Sequence, residues 1–237
     1  VEDYKFGFYT DEARTWDSIA YAAPYYTIVN SADNDRNDFG PGPGGGHYVF
    51  QAGMWMYSTD TRDPDGGVDQ YDCINTRKCA KNTITVGAVE DIPGGYSQPS
   101  DVVMSTFSNW GPTDDGRIKP DIVGNGVDLY SCDDDHNSDY ATLSGTSMAS
   151  PNVSGSINLL YRHYEATHDD STPLAASMKA LVINTADEAG PDNGPDYMFG
   201  WGLLDAWAAY EVVEDDWFDD TNGRIEELTL AQEETIE

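Results

Sequence analysis

Ten residues, Ser144-Gly145-Thr146-Ser147-Met148-Ala149-Ser150-Pro151-Asn152-Val153, set a serine between a glycine turn and the start of an apolar helix. The glycine permits a tight reversal, and Thr146 is available as the helix cap. Downstream, Val153, Ile157, Leu159, Leu160 and Tyr164 recur at helical spacing and give the segment one apolar face. A serine on the first turn of such a helix meets the partial positive charge of the helix N-terminus. Its backbone N–H has no partner within the helix. That is the local geometry of an acyl-transfer nucleophile whose own amide can face a developing oxyanion.

The rest of the chain reads as short strands followed by helices. Residues 10–23 form a predicted helix, with Thr10 as cap, Asp11 and Glu12 in the first turn, and Trp16, Ile19, Ala20 and Ala23 on one face. A strand is predicted at 26–30, a Gly/Pro/Asn/Asp loop at 34–46, and further strands at 83–89, 102–107, 122–123 and 127–130. Several of these strands lack clean alternation, the mark of burial on both faces. The serine helix is predicted to end near Tyr164. A second helix starts near Thr172 with Pro173 at its first position, and a last one covers 204–213. The expected fold class is α/β, a mostly parallel central sheet with helices on both faces. The predicted boundaries are one domain over 1–213 and, over 214–237, an acidic linker entering a following β-rich region.

Charge narrows the partners. Twelve Lys and Arg face 43 Asp and Glu, a formal net charge of −31. Such a surface repels nucleic acid and anionic membranes, and it suits a salty or calcium-containing medium. No apolar run reaches the ~18 residues of a membrane span. The first residue is Val1, with no signal region ahead of the globular pattern, so the chain is expected to be cut or processed at its start. Cys73 and Cys79, six apart, allow a small-loop disulfide that would leave Cys132 over; a three-cysteine metal site is the competing arrangement.

The serine decapeptide resembles the nucleophile motif of the subtilisin-like serine proteases, the subtilases. Four other segments extend the resemblance over about residues 26–213. Thr83-Ile84-Thr85-Val86-Gly87-Ala88-Val89 is similar to a core strand of the family. Ser105-Thr106-Phe107-Ser108-Asn109-Trp110-Gly111-Pro112, with Lys119-Pro120-Asp121-Ile122, resembles the approach to the strand ahead of the nucleophile. Phe199-Gly200-Trp201-Gly202-Leu203-Leu204-Asp205-Ala206 resembles the closing glycine turn, whose acidic residue caps the last helix. Ile28-Val29-Asn30-Ser31-Ala32-Asp33-Asn34-Asp35 resembles the strand ending in Ala-Gly-Asn-Asp, whose asparagine donates to the oxyanion. Asn34 stands at that position, and Asp33 replaces the usual glycine. An aspartate there strains a turn of positive φ, and its charge opposes a neighbouring oxyanion.

The resemblance implies a secreted serine endopeptidase acting on polypeptides, with Ser147 as nucleophile and Asn34 as oxyanion donor. No cofactor is required for its chemistry. In the family an Asp-Thr/Ser-Gly and a His-Gly-Thr-x-Val-Ala-Gly motif precede the asparagine, and neither lies before Asn34 here. The expectation is therefore an N-terminally truncated catalytic domain, inactive alone; the alternative is a catalytically impaired pseudoprotease or peptide-binding relative. His47-Tyr48-Val49-Phe50-Gln51-Ala52-Gly53 keeps the histidine and Ala-Gly offsets, but lacks Gly-Thr and follows Asn34. It is expected on a loop away from Ser147; as a base it would need Asp33 or Asp35 as partner. His136, His163 and His168 have no motif support. Structural calcium is common in the family, and Asp60, Asp63 and Asp65 in a glycine-containing loop are the candidate ligands; the other reading is a solvated acidic turn.

Overall fold

The computed structural model describes residues 5–38, 40–42, 44–61, 69–218 and 223–228. In chain order its elements are α1 (Asp11–Ala22), β1 (Val29–Ser31), β2 (His47–Gln51), β3 (Met54–Ser58), β4 (Ile84–Val89), β5 (Ile122–Asn125), β6 (Leu129–Cys132), β7 (Tyr140–Leu143), α2 (Thr146–Thr167), α3 (Ala175–Asn184) and α4 (Ala206–Phe218).

Three parallel strands in the order β1-β4-β5 form the sheet that carries the site. All six residues of β4 are buried, which explains its lack of alternation. From one face Ile84, Val86 and Ala88, with Ile122 of β5, pack against Ala149, Val153, Ile157 and Leu160 of α2; α3 and α4 add Met178, Val182, Ala209 and Val213 to the same core. On the other face Val89 and Val123 join Val102, Ala189 and Phe199. There, too, Thr85 Oγ1 donates to the Lys78 carbonyl at 2.9 Å, within the short 3₁₀ turn Thr76–Cys79 that α1 packs against. The chain is α/β with a parallel sheet and helices, as the sequence implied.

Local signals placed the starts of α1 and α4 well. Thr10 caps α1 by accepting from Ala13 N–H, and Asp205 Oδ1 accepts from the Trp207 and Ala208 N–H groups at the head of α4. Long-range contacts decided what they misplaced. Residues 26–30 yield a strand only over Val29–Ser31, and 127–130 one shifted to Leu129–Cys132. Residues 102–107 form no strand: a single antiparallel bridge links Met104 to Val89. Pro173 lies outside α3, whose cap is Leu174; the Leu174 N–H donates to Glu227 Oε1 at 2.7 Å. Helix α4 runs on through the acidic residues 214–218 assigned to a linker, and Ile225 packs back on the main core.

The cysteines are all free. Cys73 sits with Phe6 and Trp110, its sulfur accepting from Trp110 N–H at 3.1 Å, whereas Cys79 sits in a separate cluster with Ala32 and Ile74. The 3₁₀ turn between them sends the two thiols into different pockets, so no disulfide forms. Burial pushes both thiols up to about 12.

Candidate active site

The site lies at the carboxyl ends of the parallel strands, where the chain leaves the sheet in loops and where α/β proteins bind ligands. Strand β1 delivers Asn34 three residues after its end, and β5 leads through Gly126 toward the turn before α2. Gly126 N–H donates to Val89 O at 3.1 Å, and its carbonyl accepts from Gly145 N–H at 2.8 Å. A β-carbon on Gly126 would stand 2.6 Å from Ala88 Cβ and 2.8 Å from Gly145 O, so only glycine lets this turn seat on the sheet.

Ser147 is the second residue of α2, exposed, at a helix N-terminus as expected. The cap is Gly145 rather than Thr146. Thr146 is fully buried, and its hydroxyl and its N–H both donate to Asn34 Oδ1, each at 2.9 Å. Positions 112 apart in sequence therefore meet, and the two bonds fix which end of the Asn34 amide is turned away from Thr146. The free end is the donor, Nδ2. A methyl carbon placed on Gly145 would stand 3.6 Å from Asn34 Nδ2 and 3.7 Å from Ser147 N. Both nitrogens therefore lie within 4 Å of one point next to Gly145, and Ser147 N–H has no acceptor among the described residues.

Asp33 adopts φ +76°, the left-handed conformation in which glycine is favoured. Its carboxylate lies 3.6 Å from Lys78 Nζ. Burial pushes the Asp33 carboxyl up, while Lys78 opposes that shift.

No histidine reaches the serine by a hydrogen bond among the described residues. His47 is not on a loop: it opens β2, paired opposite Ser58, and its Nδ1 lies 3.1 Å from Gly45 O. The apolar strand β3 that holds it there was missed in the sequence. His163 and His168 lie 16 and 21 residues along α2 from Ser147, ~24 and ~32 Å at the helical rise, where their Nε2 atoms face Glu214 and Asp216 at 3.0 and 3.1 Å. His136 is exposed in the turn between β6 and β7.

A cavity of about 400 Å³ opens beside Ser147, between the β6–β7 hairpin and the first turns of α2, lined among others by Leu129, Leu143, Met148 and Asn152. A larger one, about 650 Å³, is lined by α3, α4 and neighbouring loops and by none of the site residues. Of the candidate calcium ligands, Asp60 accepts from Ser58 Oγ at 3.1 Å, and Asp63 and Asp65 lie outside the described residues. Among the described residues no group of three or more His, Cys, Asp or Glu is gathered in one place.

The family model of the subtilase family (Peptidase_S8) matches residues 15–202, well over half of the chain. The chain belongs to the subtilase family. The C5a peptidase of Streptococcus pyogenes serotype M3 is 40% identical over 110 residues, covering 46% of this chain and 9% of the relative. The PII-type proteinase of Lactococcus lactis subsp. cremoris is 32% identical over 127 residues, covering 47% and 6%. The chain thus spans less than a tenth of these curated relatives. Among solved structures, the patellamide maturation protease PatA shares the fold at a TM-score of 0.57 and 21% identity, covering 89% of this chain and 59% of that one. The CspB protease of Clostridium perfringens follows at 0.53 and 24%, covering 68% and 34%. No helix among the described residues is long and apolar enough to cross a membrane.

Proposed function

We propose that this chain supplies the nucleophile and the oxyanion donors of a secreted serine endopeptidase, and that the general base and its orienting acid come from residues outside it. The approach of Asn34 Nδ2 and Ser147 N to within 4 Å of one point next to Gly145, with Asn34 Oδ1 held by Thr146, supports this reading. In the reaction Ser147 Oγ attacks a peptide carbonyl, and its proton passes to a histidine base. The carbonyl oxygen becomes an oxyanion held by the two N–H donors, and collapse expels the amine, which takes the proton back. Water then repeats the sequence on the acyl-enzyme. The asparagine donor adds no charge beside the oxyanion.

Without a base the Ser147 hydroxyl stays protonated and weakly nucleophilic. The placement of all four histidines away from hydrogen-bonding range of Ser147 supports an incompetent isolated chain. The ion pair with Lys78 bears on the pseudoprotease alternative: it draws the Asp33 charge toward a cation, which lessens its opposition to the oxyanion.

The test is labelling of Ser147 by a fluorophosphonate. The chain alone is expected to label negligibly, the protein extended by its upstream sequence to label and to cleave unfolded protein, and Ser147→Ala to abolish both. An extended protein that binds peptides yet leaves Ser147 unlabelled would establish the pseudoprotease instead.

A further inference from the structure

The turn that presents Asn34 is gripped by one side chain from a distant segment. Asn109 is fully buried. Its N–H donates to Asp33 O at 3.0 Å, and its Oδ1 accepts from the Asp35 and Arg36 N–H groups at 2.7 and 2.9 Å. Its Nδ2 donates to Cys73 O at 2.8 Å and to Asp35 Oδ2 at 3.1 Å. These bonds use both lone pairs and both protons of the side-chain amide. Residues 33, 35 and 36 are thereby tied to Asn109, while Asn34 between them has its side chain free to reach Thr146.

Arg36 anchors the far end of the turn on the same segment. Its guanidinium stacks over the Trp110 ring at 3.9 Å and donates to Ser105 O at 2.6 Å and Ser108 O at 2.7 Å. The turn needs such restraint. Asp33 holds φ +76°, a conformation costly to any residue with a β-carbon, and such strain persists only where its surroundings over-determine it.

We propose that Asn109 is a positioning residue for the Asn34 amide: it clamps the peptide units flanking Asn34 so that Oδ1 meets Thr146 and Nδ2 faces the oxyanion point. It acts through Asn34 and touches no substrate. The proposal rests on the reading of Asn34 given above, and a misplacement of ~1 Å at such a donor costs about 10²-fold in rate.

The test is amide hydrogen exchange on this chain, with the Thr146 N–H reporting its bond to Asn34 Oδ1 and the Met148 N–H, bonded to Gly145 O at 2.9 Å, reporting the helix turn itself. Asn109→Ser is expected to speed Thr146 exchange about tenfold, the worth of one net hydrogen bond, and to change Met148 less than about twofold. In an Asn34→Ala background Asn109→Ser should add nothing at Thr146. Equal acceleration at both amides, or additive effects in the double variant, would overturn the proposal in favour of a general structural role. Should Asn109→Ser fail to fold, Asn109→Asp keeps an acceptor for the Asp35 and Arg36 amides, loses the donors and permits the same comparison. Labelling of Ser147 in the extended protein separates the two ideas. If exchange behaves as expected and Ser147 is never labelled, the protease reading falls and the positioning stands.

Discussion

At the residue scale the site is a matter of which atoms have nothing else to bond. Asn34 Oδ1 is taken by Thr146, so the amide can only offer its nitrogen outward. Asn34→Ala in the extended protein is expected to lower the labelling rate of Ser147 about 10²–10³-fold, the cost known for such a donor in subtilisin itself. Asp33→Gly should move the rate far less, because it relieves a strained φ of +76° and removes a charge already directed at Lys78. A loss from Asp33→Gly as large as that from Asn34→Ala would show that the aspartate has a role of its own. Ser147 and Asn34 were readable in the sequence because each sits in a local pattern, a glycine turn before a helix and a strand end. Asn109 lies within a segment that resembles the family but has no local pattern of its own. Its side-chain bonds span 36 to 74 positions, and no spacing rule announces contacts of that range.

At the scale of elements, what the sequence concealed has the same cause. The β2–β3 hairpin is largely exposed and carries apolar side chains on both faces, Tyr48 against Tyr57 and Phe50 against Trp55 on one and Val49 and Met56 on the other, so it shows no clean polar–apolar alternation to read. The elements around β4 are joined instead by a buried ion cluster. Lys119 Nζ, 2% exposed, meets Asp121 Oδ2 at 2.5 Å, and Lys179 of α3 meets Asp121 Oδ1 at 2.8 Å. Asp121 also accepts from Thr85 N–H of β4. Burial works against the Asp121 carboxylate, but the two ammonium groups together outweigh it and hold the group below the usual carboxylate range. Asp121→Asn strands the buried Lys119 and is expected to cost about 3–5 kcal/mol at neutral pH. The sign with pH follows from the depressed value. The contribution is present above ~4, where the unfolded carboxyl ionises, and is lost as pH falls through the folded value. Denaturant titrations of both proteins should therefore converge as the pH drops below ~4, and a gap that stays constant in acid would place the effect of the variant elsewhere.

At the scale of the whole molecule, charge sets the terms. The formal net charge of −31 spreads self-repulsion over the fold, and added salt screens it over a Debye length of ~10 Å at 0.1 M. The melting temperature is expected to rise with ionic strength for that reason alone. Calcium must be tested apart from screening, at constant ionic strength, because a specific site gives a rise that follows calcium concentration rather than salt. Among the described residues no three His, Cys, Asp or Glu side chains are gathered, and Asp60, Asp63 and Asp65 remain the candidate ligands for a calcium-specific rise. Asp63→Asn with Asp65→Asn should then remove that rise and leave the salt response intact. A melting temperature flat in both titrations would mean that the acidic surface does not limit the stability of this fold.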